Sequence, residues 1–152
     1  MRRTEKEIKD KTAIEAIIHK STVCRLGLSD GYTPYIVPVC FGYQDHTIYV
    51  HGSPKGKKIE MIQKNQYVCI EFDINITIVE AERACDWGVK YQSVIGFGKA
   101  SFLKDRDEKR RALNIIMSQY SEQTFQFPEK VLSKTAVIKI EVDRMTGKQS
   151  GC

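Results

Sequence analysis

The chain has 152 residues, 41% hydrophobic and 28% charged, with a net charge of +5. These values suit one globular domain over residues 1–152, with a core that needs neither disulfides nor metal. They exclude a helical membrane span, which needs roughly 20 consecutive apolar residues, and they do not demand a broad basic face for nucleic acid.

Glu5 to Lys20 reads as a helix, with Ile8, Ile14, Ile17 and Ile18 in a partial apolar stripe. Val23 to Leu28 is a short strand, and Ser29-Asp30-Gly31 is a turn. A second strand runs from Pro34 to Tyr43 and a third from Thr47 to His51. Only Gln44-Asp45-His46 separates them, so the spacing predicts an antiparallel hairpin. Gly52 to Gly56 is a loop, and Lys57 to Lys64 is a short helix.

Tyr67 to Asp73 alternates as a fourth strand, which Ile76 to Val79 could extend. Ala84 to Gly88 is a loop carrying the only tryptophan, Trp87. Ser93 to Leu103 is a fifth strand, with Gly96 and Gly98 on one face inviting close approach of a ligand or another backbone. Asp105 to Ser121 is a helix with a capping-box variant at Asp105 and Glu108. Its apolar face is Ala112, Leu113, Ile116, Met117 and Tyr120. The Phe125–Pro128 segment leads to a sixth strand, Ala136 to Val142, and a tail. Six strands at hairpin spacing with two or three helices predict an α+β protein, a small antiparallel barrel with helices outside.

Chemistry concentrates after the third strand. Gly52-Ser53-Pro54-Lys55-Gly56-Lys57-Lys58 offers small residues, a hydroxyl and three lysines where a strand hands over to a helix. Free N–H groups and the helix dipole favour an anion there. Cations at that end oppose the dipole unless an anion sits between them. The loop therefore predicts a phosphorylated ligand, with a solvated lysine-rich helix start as the alternative. His51 stands beside it, as a ligand contact or proton donor, or as a structural histidine. Glu71 and Asp73 share a strand face, as an acid/base pair or a solvated surface.

No Walker loop, dinucleotide fingerprint or nucleophile elbow is present. The three histidines lack zinc spacing. Five cysteines (Cys24, Cys40, Cys69, Cys85 and Cys152) give an odd count without C-x-x-C, which argues against a disulfide framework and a zinc ribbon. Cys24, Cys40 and Cys69 are expected buried in strands, and Cys85 sits in a loop as a candidate reactive thiol. Met1 to Glu7 lacks the apolar core of a secretion signal, so the expected location is the cytoplasm.

Several stretches together resemble the flavin-binding split-barrel superfamily named for pyridoxamine 5'-phosphate oxidase, and within it the nitroimidazole-resistance branch. They are Pro34–Val39 with Phe41-Gly-Tyr43, Ile48–Ser53, Gly56-Lys-Lys58 with Asn65, Tyr91–Gly98, and Thr146-Gly-Lys148. The resemblance implies a six-stranded antiparallel split β-barrel, mainly β with flanking helices. It implies a homodimer with two FMN sites at the subunit interface. It puts the FMN phosphate on Ser53, Lys57 and Lys58, beside Gly52. It puts the ring along Val37, Pro38, Val39, His51, Ser93 and Val94, with His51 as the candidate catalytic residue.

The vitamin B6 oxidases carry basic residues where this chain has Tyr35–Val39, and only Arg144 and Lys148 stand in for their substrate-phosphate cluster. The resemblance thus implies an FMN-dependent oxidoreductase reducing a nitro group or similar acceptor. The alternative is a non-catalytic module holding flavin or haem, with His51 as axial ligand.

Overall fold

The structure is a computed structural model that describes residues 4–151. Cys152 and the first three residues of the Met1–Glu7 segment lie outside the described residues. The chain forms β1 (Glu7–Ile8), α1 (Lys11–Lys20), β2 (Cys24–Ser29), β3 (Pro34–Val39), β4 (Phe41–Gln44) and β5 (Thr47–Gly52). Then follow α2 (Lys57–Lys64), β6 (Tyr67–Val79), β7 (Gly88–Phe102), α3 (Arg106–Ser118), α4 (Glu129–Lys134) and β8 (Ala136–Ser150). The pairs are all antiparallel. The sheet runs β3-β2-β6-β7-β8-β5-β4, with β1 added to β8. Its two ends, β3 and β4, are not paired to each other, so the barrel is split. No helix among the described residues is long and apolar enough to cross a membrane.

Among the described residues eight strands form where six were expected. Glu7 and Ile8 leave the first helix to pair with Lys148 and Gly147, and α1 starts instead at Lys11. Asp10 caps it by accepting from the Ala13 N–H at 3.1 Å. The long second strand breaks at Cys40. Upstream, Pro34 to Val39 pairs with β2, on the sheet edge where a proline's missing N–H is tolerated. Downstream, Phe41 to Gln44 forms the hairpin with β5. Asp45 and His46 both take positive φ, 50° and 58°, as a tight two-residue hairpin turn requires.

Cys40, at this break, is exposed rather than buried; Cys24 is buried and Cys69 half-buried. The sequence also hid α4 and the extension of β8 to Ser150.

The main core fills the barrel with Ile18, Leu26, Phe41, Ile48, Ile62, Phe72 and Ile140. A second cluster, including Leu113, Ile116, Leu132 and Val137, lies under α3 and α4. Gly96 and Gly98 serve packing. A Cβ on Gly98 would lie 2.3 Å from the Glu141 carbonyl oxygen, at the β7–β8 register shift, so the close approach is another backbone.

Tyr120 ties the layers together. Its hydroxyl accepts from the Phe41 N–H at 3.0 Å and donates to the Thr22 carbonyl at 3.0 Å. Tyr120→Phe removes both bonds, and a loss of about 1–2 kcal/mol in denaturant unfolding is expected.

On β3, β6 and β7 some large apolar side chains point away from the core. Ile36, Tyr67 and Ile95 are exposed there.

Candidate functional site

The cationic corner forms where β5 ends and α2 begins. The Ser53 hydroxyl accepts from the Lys55 N–H at 3.2 Å, tightening the loop. Gly56 precedes the helix with φ 120° and ψ 170°, and no side chain caps the first turn. Its leading N–H groups are therefore available to an outside acceptor. Lys58 folds back over the strand end: a Cβ on Gly52 would lie 3.2 Å from its Nζ. Glycine at 52 leaves the room that a side chain would fill.

Among the described residues, no ion pair involves Lys55, Lys57 or Lys58. Lys58 has lost part of its water, and this burial lowers its pKa. Partial burial lowers the His51 pKa, and the nearby Lys58 ammonium lowers it further. The corner thus sets two groups whose charged forms burial disfavours beside open N–H donors.

The depressed His51 pKa has a consequence for stability. The unfolded chain takes up a proton near pH 6.5, whereas the folded chain does so only at lower pH. Stability is then full above pH 6.5 and is lost as pH falls through the folded value. Melting temperature is expected to rise from pH 5 to 7, and His51→Gln is expected to flatten that rise. Parallel pH profiles of the two proteins would show that His51 is not responsible.

Lys57 links the corner to β3, with its Nζ 5.2 Å from the centre of the Tyr35 ring. Along that strand Val39 is buried, Val37 packs against the core, and Pro38 faces out. The fold thus gathers His51, Gly52, Ser53, Lys57 and Lys58 together, with the start of β3 beside them.

Ser93 and Val94 lie elsewhere on the chain. Pro38, Arg25, Glu71 and Ile95 form one row across β3, β2, β6 and β7. Ser93 is two residues beyond that row, and three strand spacings make about 14 Å. Along β8, Ser93 pairs with Lys148 and His51 with Val137. That separation is about 36 Å of strand at 3.3 Å per residue. The Val94 side chain is fully buried, so a ligand outside the barrel meets only its backbone.

Ser93 instead lines an outer cavity of about 430 Å³ with Arg25, Glu71, Asp73, Ile76, Val89 and Tyr91. Arg25 bonds to Glu71 at 3.1 Å and also to Asp73. The two carboxylates therefore share one guanidinium rather than forming a solvated face. Burial raises the Glu71 pKa, and Asp73 raises it further, against the opposing pull of Arg25. Arg25 was missed in the sequence; its outward place in the alternating Cys24–Leu28 strand was the available signal. Cys85 meets the Arg83 guanidinium at 3.2 Å, a cationic neighbour that its acidic neighbour Asp86 had obscured.

Comparison with known proteins follows the same lines. A protein of Bacteroides thetaiotaomicron, described as a candidate 5-nitroimidazole antibiotic resistance protein, is 40% identical. The match covers 94% of this chain and 86% of that one, with a TM-score of 0.86. The flavocytochrome Anf3 of Azotobacter vinelandii shares the fold at 20% identity and TM-score 0.87, over 100% of this chain and 72% of that one. An FAD and haem binding protein of Mycobacterium smegmatis shares it at 16% identity and TM-score 0.87, over 97% and 74%. A search of curated proteins gives no match. The family described as pyridoxamine 5'-phosphate oxidase matches residues 10–149. With its split barrel and its 40% identical relative, the chain belongs to the pyridoxamine 5'-phosphate oxidase-like family.

Proposed function

We propose that the chain binds FMN between two copies of itself and uses it to reduce a nitro group or a similar small acceptor. The observation that carries the reading is the unpaired lysine corner at the uncapped start of α2. A phosphate dianion there accepts from the N–H groups of the first turn and the Ser53 hydroxyl, and it neutralises Lys57 and Lys58. The ring then lies toward Val37, Pro38 and Val39, with His51 beside it as a neutral imidazole that orients the ligand. Ser93 and the Val94 backbone come from the second copy, because one protomer holds them too far from its own corner. The bare apolar face around Ile36 and Ile95 gives that copy a surface to cover.

When bound, the flavin supplies the hydride and electron transfer. The chain fixes its position and keeps water from it. The candidate 5-nitroimidazole resistance relative supports a nitro compound as acceptor. Turnover of a nitroimidazole by the FMN-loaded protein with a reduced nicotinamide donor tests the activity. Bound FMN without turnover of nitroaromatics would leave a flavin-holding module.

Haem is the second reading, because His51 is only partly buried and favours its neutral, metal-binding form. A Soret band on haem addition that vanishes in His51→Ala would support it; no band would end it.

A further inference from the structure

Beyond Ile74 the β6–β7 hairpin leaves the body of the barrel. The register shifts between Ile74 and Thr77, where Asn75 takes φ 56° and its amide donates to the Gln92 side chain at 2.7 Å. Past this bend only two strands remain, pairing Thr77 with Lys90, Ile78 with Val89 and Val79 with Gly88. Ile76 and Ile78 lie on one face of β6, with Val89 opposite Ile78, and they are 59%, 66% and 47% exposed. A two-stranded ribbon with its apolar face in water is marginal alone.

At the tip, Trp87 is 51% exposed. Its indole N–H donates to the Ala81 carbonyl at 2.6 Å. The ring is therefore held in one orientation rather than left free. Glu80, Glu82 and Asp86 face only Arg83 in charge count, giving the tip a net charge of about −2.

We propose that this arm is a clasp for a second copy of the chain. Its apolar face packs on that copy beside the cationic corner and covers the flavin held there, with Trp87 as anchor. The inference rests on the two-copy flavin site proposed above. Three observations select the occupant. The arm leaves the barrel next to Tyr91 and Ser93, the part of the chain that the second copy must approach if Ser93 is to reach a flavin. From Ser93 to Trp87 the strand extends about 20 Å, long enough to lie along a cofactor from ring toward phosphate. The acidic tip complements a corner carrying Lys55, Lys57 and Lys58. Electrostatic matching of this kind fixes which surfaces meet, while the apolar contacts and the aromatic anchor supply most of the affinity.

Because Trp87 is the only tryptophan, its fluorescence reports on the clasp directly. The experiment follows emission and acrylamide quenching of the full chain without flavin over a concentration series, with oligomeric state from sedimentation. On dimerisation the emission is expected to shift to the blue and the quenching constant to fall severalfold. Ile78→Asp is expected to raise the dimer dissociation constant at least tenfold and to leave the monomer's far-ultraviolet circular dichroism unchanged. FMN added to the dimer is expected to quench Trp87.

A dimer in which Trp87 remains as quenchable as free tryptophan overturns the clasp and leaves the two-copy flavin site standing. An unaltered dimer constant in Ile78→Asp does the same. A chain that stays monomeric yet binds FMN overturns both. A dimer that shields Trp87 but binds no FMN removes the flavin reading, and with it the covering role of the arm.

Discussion

Lys58→Ala is expected to weaken FMN binding roughly 5- to 150-fold, the range of about 1–3 kcal/mol for a charge-assisted contact. The amine sits over Gly52, partly stripped of water and without a carboxylate partner. It is therefore placed where a phosphate dianion gains most from it. Riboflavin, which lacks the phosphate, is expected to bind the variant and the parent equally. The FMN difference is expected to shrink in high salt, since screening weakens a partly exposed pair. In the absence of flavin the same residue is a burden, because its burial disfavours the ammonium. Lys58→Met is thus expected to melt at a slightly higher temperature than the parent when both are free of ligand. Equal losses of FMN and riboflavin affinity in Lys58→Ala would show that the amine shapes the pocket instead of holding the phosphate.

Gly42→Ala is expected to destabilise the fold by about 3 kcal/mol or more, in the range of overpacked core positions. Gly42 lies on β4 beneath α3, and a Cβ there would sit 2.6 Å from the Ile115 carbonyl and the Ile116 nitrogen. These are backbone atoms of the last turn of α3, so no side-chain rotation relieves the contact. The helix must lift from β4, which opens the seam closed by Ile116 and Leu132. For a chain of this length the melting temperature is expected to fall by about 10 °C. Gly88→Ala, where a Cβ meets nothing within 4 Å, is the matched control and is expected to change little. A Gly42→Ala protein that melts with the parent would mean that α3 does not pack this tightly.

The barrel was legible because its strands alternate cleanly. Val68, Ile70 and Phe72 go inward and Glu71 and Asp73 outward, as period-two patterning requires. The α3 cap was legible too, and Asp105 accepts from the Glu108 N–H at 3.0 Å. What the sequence hid is non-local. Nothing local in Pro34 to Tyr43 says that Cys40 divides two strands at opposite ends of one sheet. The six residues of α4 are too few for a periodic signal. The extension of β8 to Ser150 depends on pairing with β7, a partner about fifty residues away in the chain.

The site divides in the same way. The lysine corner is a contiguous stretch, and its charge conflict with the helix dipole can be read from residue order alone. The distance of Ser93 from that corner, and the Arg25 clamp on Glu71 and Asp73, exist only once four strands are laid side by side.

The central claim is that the turn from β5 into α2 receives a phosphate. A crystal structure of the protein grown with FMN tests it most directly. The account predicts the phosphate within hydrogen-bond reach of the Ser53 hydroxyl, the Lys58 amine and the first N–H groups of α2, with residues of a second copy against the ring. Density for FMN bound elsewhere, with Lys57 and Lys58 extended into solvent, would contradict it.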